Sequence, residues 1–417
     1  MKKNLILLLC LFCVYPLMAQ QLSLPELRQL LLQNNGQLIA QKLEIDAAEA
    51  EIVQAKLLPN PTLSISEVNF WTNGTAEELP YLFGKYGKHQ QIGVELEQLI
   101  ETAGKRKKRI ALASLQKESA VLEYEELMRE LSLELSEAYW EWAAAQEKEE
   151  LLRPSVELYQ RLNEQYSRQA RLQNVPQSDY LRIQNQLLIY RQELAQQRAE
   201  KNEALGKIRI LTQVPQLNDS QLTKPVQNYR LSEALPLNLS ELALQQNIGL
   251  RQQNRQVNVA TQELALEKAN RTPDLQLQLN YDRGGNIMRD FIGVGVSIDL
   301  PVFDRNQGNI QAASHRLQKA EQSRTVLQQQ LINKVEILLH QLQDYEPSLR
   351  DADSLNSDEQ RRMLENYEKH LQTRGITLLE FIDFVEAYRE AKTGVVDLAL
   401  EYHKLYEQLL YLTGQNL

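Results

Sequence analysis

Residues 275–281 read LQLQLNY and residues 292–298 read IGVGVSI. Leu275, Leu277, Leu279 and Tyr281 fall on one side of an extended chain, and Gln276, Gln278 and Asn280 on the other. Ile292, Val294, Val296, Ile298 and Leu300 alternate in the same way with Gly293, Gly295, Ser297 and Asp299. A fainter pair lies upstream: Leu63 and Ile65 among Thr62, Ser64 and Ser66, then Ile92, Val94 and Leu96 against Gly93, Glu95 and Glu97. Each segment reaches roughly the 9–11 residues of a tilted membrane strand, apolar outward and polar inward. An ordinary antiparallel sheet with one wet face alternates identically. Aromatic placement favours the membrane: Phe70, Trp71, Tyr81, Phe83 and Tyr86 cluster between the first two strands, where an interfacial girdle sits. Four strands cannot close a membrane barrel, whose smallest members have about eight, so this reading requires an oligomer.

Around the strands the chain contains itself twice. Gln33 to Leu38 resembles Gln245 to Leu250, and KLLPNPTL at 56–63 resembles KANRTPDL at 268–275, both at an offset of 212. NVPQSDYLR at 174–182 parallels GITLLEFID at 375–383 at an offset of 201. One unit of helix, strand, loop, strand, long helix, turn and helix therefore recurs, over 20–213 and 239–417, with the Pro-bearing segment 214–238 between. Leu, Ile, Val and Ala recur at three- and four-residue spacing in the helices. The spacing predicts helices over 24–57, from Gly104 to about Gln173, on to about Leu211, over 239–271, from Asn306 to about Arg374, and from Thr377 to about Leu412. Each long helix has about 70 residues, so about 105 Å at 1.5 Å per residue. The two shorter helices of each copy add up to nearly the same length, so a coiled-coil tube or stalk accommodates them better than a compact domain. Pro154 and Pro347 each remove a backbone hydrogen bond and predict kinks or short breaks.

The first residues differ from the rest. Met1, Lys2 and Lys3 precede an apolar run from Leu5 to Val14, and Ala19 closes a segment that reads as a cleaved signal peptide, 1–19. Both cysteines, Cys10 and Cys13, lie within it, so the mature chain offers no disulfide, thiol nucleophile or thiolate ligand. Its removal takes two lysines and no acids, moving the net charge from −9 to −11. An exported acidic chain is a poor nucleic-acid binder. After it, no stretch approaches the ~18 apolar residues of a membrane-spanning helix, so any membrane entry is by β-barrel.

Chemistry is sparse. His89, His315, His340, His370 and His403 lack metal-ligand spacing and read as surface or interface residues. No phosphate-cradling loop, nucleophile elbow or convergent titratable cluster is visible, so neither cofactor nor enzymatic activity is expected. The basic run Lys105-Arg106-Lys107-Lys108-Arg109 follows a strand and suits lipid headgroups better than bases.

The duplicated order, together with LPNPTL at 58–63, Gly104-Lys105-Arg106 and LPVFDRNQG at 300–308, resembles the outer membrane efflux (TolC) family, with a flavour similar to its cation-efflux branch. That resemblance implies a homotrimer whose twelve-stranded barrel sits in outer-membrane lipid above a periplasmic α-barrel tunnel. It implies a periplasmic adaptor and an inner-membrane pump of the RND type as partners. It places adaptor contacts at the hairpin turns: Leu172, Asn174, Val175 and Pro176, and Arg374, Gly375, Ile376 and Thr377. Glu380 and Asp383, with Asp179 as the first copy's counterpart, fall where the family narrows its periplasmic aperture with acids. Arg182 stands opposite Asp383 in the repeat and breaks the pattern. Two other readings stay open: a secreted coiled-coil scaffold or adhesin, and a periplasmic adaptor. The first needs no barrel; the second should carry one hairpin rather than two.

Overall fold

The structure is a computed structural model that describes residues 21–68, 78–84, 87–88, 90–284, 288–354, 357–373 and 375–415. Residues 1–20, which hold both cysteines, and Phe70, Trp71, Tyr86, His89 and Arg374 lie outside the described residues. Its elements run α1 (Leu24–Asn34), α2 (Gly36–Lys56), β1 (Thr62–Ser66), β2 (Gly93–Ile100), α3 (Lys105–Arg171) and α4 (Gln177–Thr212). Then follow α5 (Leu239–Gln246), α6 (Ile248–Asn270), β3 (Leu275–Gly284), β4 (Arg289–Ile298), α7 (Gln307–Ser354), α8 (Ser357–Gln372) and α9 (Leu378–Thr413). The chain forms two compact units, one of residues up to 40, 124–248 and 328–417, the other of 41–123 and 249–327.

The second unit holds an antiparallel sheet in the order β1-β2-β3-β4. The register sets Leu63 opposite Leu96, Leu96 opposite Leu279 and Leu279 opposite Val294, so the apolar sides of all four strands share one face. β1 and β2 are shorter than the alternation predicts, at 5 and 8 residues. β1 stops because Glu67 turns left-handed at φ 57, a conformation incompatible with an extended ladder.

The first unit is helical. Its larger core packs Leu27 and Leu31 of α1 and Leu38 against Leu135, Tyr139 and Trp142 of α3 and Ile208 of α4. The single helices predicted over 24–57 and 239–271 are each two helices, broken at Asn35 and Asn247. At Asn35 the backbone swings to ψ 119. Its Oδ1 accepts the Gln37 and Leu38 amides at 2.9 and 3.2 Å, capping α2. Its Nδ2 donates to the Leu211 carbonyl at 3.0 Å. Asn247 repeats this: ψ is 123 and Nδ2 donates to Leu412 O at 3.0 Å. The helices so clasped also end alike, on left-handed Gln213 and Gly414, with Val214 N donating to Arg209 O and Gln415 N to Leu410 O. The repeat is therefore structural as well as sequential.

The prolines do not break their helices. α3 runs unbroken through Pro154 and α7 through Pro347. Leu152 and Leu158 flank the first, Leu342 and Leu349 the second, and all four are buried, so packing holds each turn across the one missing bond. Beyond Pro347, α7 is described to Ser354 and α8 from Ser357, and residues 355–356 between them lie outside the described residues. Segment 214–238 is packed rather than slack. Leu217 and Leu222 join the larger core, and the buried Glu346 carboxylate accepts from Ser232 N, Ser232 Oγ and Tyr402 Oη at 2.8, 2.6 and 2.6 Å.

Candidate functional site

Two features carry functional meaning, one in each unit. The first is the sheet. Its apolar face is bare: Val294 is 81% exposed, Ile292 69%, Ile65 63%, Val296 60% and Leu279 47%. A cluster of exposed aliphatic side chains of this kind marks contact with an apolar medium or partner. The opposite face carries Thr62, Ser64, Glu95, Glu97, Gln276, Gln278, Asn280 and Ser297, brought side by side by the register. β1 and β4 are open edges among the described residues. Of the predicted aromatic girdle, Tyr81 and Phe83 are described, and both are exposed. The loop that bears them is tied down by Arg283, whose guanidinium donates to the carbonyls of Gly87, Gln90 and Pro80. No described helix is long and apolar enough to cross a membrane.

The second feature is the pair of hairpin turns. The first closes on left-handed Gln173, with Gln173 N donating to Ala170 O and Asn174 N to Gln169 O at 2.9 Å, the double bond pattern of a Schellman end. The second carries the matching bond from Gly375 N to His370 O at 2.8 Å. Leu172, Asn174, Pro176, Gly375 and Thr377 are exposed, whereas Val175 and Ile376 are half-buried. Ile376 packs with Tyr166, Ile183, Leu371 and Leu378 in one cluster, so apolar residues beside both turns share a core.

The acidic candidates are not equivalent. The Glu380 carboxylate turns back to accept the Thr377 amide and hydroxyl, both at 2.8 Å, while Glu380 N donates to Thr377 Oγ1 at 3.2 Å. This reciprocal capping box opens α9 and, through the backbone bond first, holds the Glu380 carboxyl below the usual carboxylate range. Asp383, one turn on, is exposed and has no hydrogen bond or ion pair among the described residues. Asp179 is half-buried in the first turn of α4, where its negative charge suits the helix end.

Three buried polar clusters lie outside every sequence motif. Glu149 accepts from Arg153 and Arg198 at 2.9 Å each and from Lys201 at 2.6 Å. Burial pushes its carboxyl up, but those three donors outweigh it and bring the group down to about 2. Arg389 pairs with Glu193 at 2.7 Å and lies 5.4 Å above the Tyr190 ring, which packs 5.0 Å from Tyr159. His403 corrects the expectation that the histidines are surface or interface residues. It is 3% exposed, stacks on Trp140 at 3.7 Å between ring centres, and shares a 2.8 Å hydrogen bond with Gln227 Oε1. Burial lowers it to about 3, so the imidazole is neutral. His315, His340 and His370 are exposed. Among the described residues no group of three His, Cys, Asp or Glu is placed to hold a metal ion.

This arrangement has relatives. The sequence pattern of the family described as "Outer membrane efflux protein" matches residues 27–212 and 239–414. The cobalt-zinc-cadmium resistance protein CzcC of Cupriavidus metallidurans is 25% identical over 299 residues, 69% of this chain and 65% of CzcC. The alignment thus spans less than two thirds of that relative's length. The Campylobacter jejuni CmeC outer membrane channel superposes with a TM-score of 0.74 at 14% identity, covering 94% of this chain and 85% of CmeC. CusC superposes with a TM-score of 0.69 at 16% identity, covering 94% and 92%. At such identities the structural likeness shows the fold. The family pattern spans both copies of the repeat and both features just described: the chain belongs to the outer membrane efflux protein family.

Proposed function

We propose that the protein is the outer-membrane exit duct of a tripartite efflux system, not an enzyme. Four strands from each of three copies close a twelve-stranded barrel, the smallest multiple of this sheet that reaches membrane-barrel size with a central pore. The helices continue the passage into the periplasm, where the turns at 172–176 and 373–377 meet an adaptor and, beyond it, an inner-membrane pump of the RND type. The observation that carries the reading is the sheet itself. One face bares aliphatic side chains, the other is polar, and both edges are open, a combination that costs free energy in water and is relieved in lipid.

Metal cations are the cargo this reading favours over other small molecules. Glu95 and Glu97 stand on the polar face opposite Asn280 and Gln278. Threefold repetition lines the pore with acids, and rings of carboxylates select cations. The likeness to CzcC points the same way. Asp383 of each copy adds a second acidic ring near the periplasmic end.

The test is fractionation followed by native mass measurement in detergent and conductance in planar bilayers. An outer-membrane trimer that conducts, with cations preferred over anions, supports the duct. A detergent-free monomer in the periplasm removes it and revives the scaffold reading.

A further inference from the structure

β1, β2, β3 and β4 are ordered so that Thr62, Ile100, Leu275 and Ile298 lie toward the same end of the sheet. If three copies close the barrel, β4 of one copy runs antiparallel to β1 of the next. The chain leaving β4 then passes beside the chain entering the neighbour's β1. Both stretches expose apolar side chains. Leu300 is 77% exposed and Phe303 94% on the first; Leu57 and Leu58 are 54% and 67% exposed on the second. An aromatic ring left so bare on a folded chain is a candidate anchor.

There is a receptacle. Leu57 and Leu58 rim a cleft of about 500 Å³ whose wall includes Leu112, Ala113 and Leu266, with Glu51 at its side. Glu51 lies on α2, seven residues before Leu58 in the chain, and Arg305 lies two residues beyond Phe303. Neither the Glu51 carboxylate nor the Arg305 guanidinium has an ion-pair partner among the described residues. Knob and hole are different patches of one chain, so the contact is head-to-tail and a threefold ring satisfies every copy.

We propose that Phe303 of each copy seats in the neighbouring copy's Leu57–Leu58 cleft, with Arg305 pairing to that copy's Glu51, as a latch between subunits just below the barrel. β1 brings only 5 residues to the seam, so its ladder has few hydrogen bonds with which to hold register there. An aromatic plug with a charge pair fixes which segment meets which, and thereby sets the register at the seam. The latch rests on the trimeric reading above, and its test separates the two.

The experiment starts from a chain with Cys10 and Cys13 replaced by serine. Phe303→Cys with Leu58→Cys, oxidised in native membranes, should yield covalent dimers and trimers that reduction removes, while each single variant yields none. Arg305→Glu or Glu51→Arg alone should lower the heat-resistant trimer fraction about tenfold, and the two together should restore it. A trimer of ordinary mass that neither cross-links nor responds to the charge exchange overturns the latch and leaves the barrel standing. Labelling of Phe303→Cys by a lipid-phase thiol reagent within that trimer also overturns it, by placing the residue against the bilayer. Absence of any trimer from the parent chain overturns barrel and latch together.

Discussion

Val294 offers the sharpest test of the sheet's orientation. It is 81% exposed, pairs with Leu279, and has Ile292 and Val296 as same-face neighbours. The apolar run from the Ile298–Leu275 pair to the Ile292–Tyr281 pair spans six residue steps, about 20 Å along the strand and roughly 15 Å along the membrane normal at a typical tilt. Val294 sits near its middle. Val294→Arg should therefore cost about 2–4 kcal/mol, as a cation does near the bilayer midplane on the lipid face of a barrel. That is a loss of at least about 25-fold in the folding equilibrium at roughly 1.4 kcal/mol per tenfold. Gln278→Arg is the control. It lies one residue away in register, on the opposite face, across from Glu97 and Gly295, and in a water-filled pore should cost less than about 0.5 kcal/mol. Urea titration of each variant refolded into lipid vesicles measures both. Equal costs at the two positions, or a larger cost at Gln278, would refute lipid on the aliphatic side.

Three further outcomes are expected. His403 refuses a proton that the unfolded chain accepts below its ordinary 6.5, so its stabilising contribution is complete above that pH and is lost as the pH falls toward 3. The loss is about 2 kcal/mol by pH 5; His403→Phe should flatten the difference in unfolding temperature between pH 8 and pH 5, and an unchanged difference would discard the assignment. Asn247→Ala strands the buried Leu412 carbonyl and Asn35→Ala the buried Leu211 carbonyl, and each should cost about 1–3 kcal/mol; calorimetry that finds either substitution without cost would contradict the clasp geometry. Since Glu380 is engaged by Thr377, Asp383→Asn should weaken single-channel block by multivalent cations more than Glu380→Gln does, and full block in the double variant would eliminate the acidic ring.

Much of this architecture was readable from residue order. Period-two alternation at 275–281 and 292–298 determined which side chains share a face, because in extended chain the side-chain period is two whatever the partner. The offsets of 212 and 201 foretold the duplication, and turn residues near 174 and 375 located the hairpin ends. Those signals are local: each depends on neighbours a few residues away.

What stayed illegible depends on residues far apart in the chain. Asn is a capping residue wherever it falls, and what selects Asn35 and Asn247 as the helix breaks is remote: the carbonyls they engage belong to Leu211 and Leu412. Pro154 and Pro347 read as kinks or short breaks, yet both helices run on through them, because distant packing outweighs the single hydrogen bond each removes. Glu149 looks like one acid among many until Arg198 and Lys201, some fifty residues on, converge upon it. Glu380 and Asp383 share a face by spacing, and here the signal that separates them is local: the Thr377-x-x-Glu380 order already offers a capping box, which gives Glu380 a structural task and leaves Asp383 exposed. Short-range periodicity is written into the order of residues, whereas burial and pairing arise from chain segments that meet only once the helices have packed.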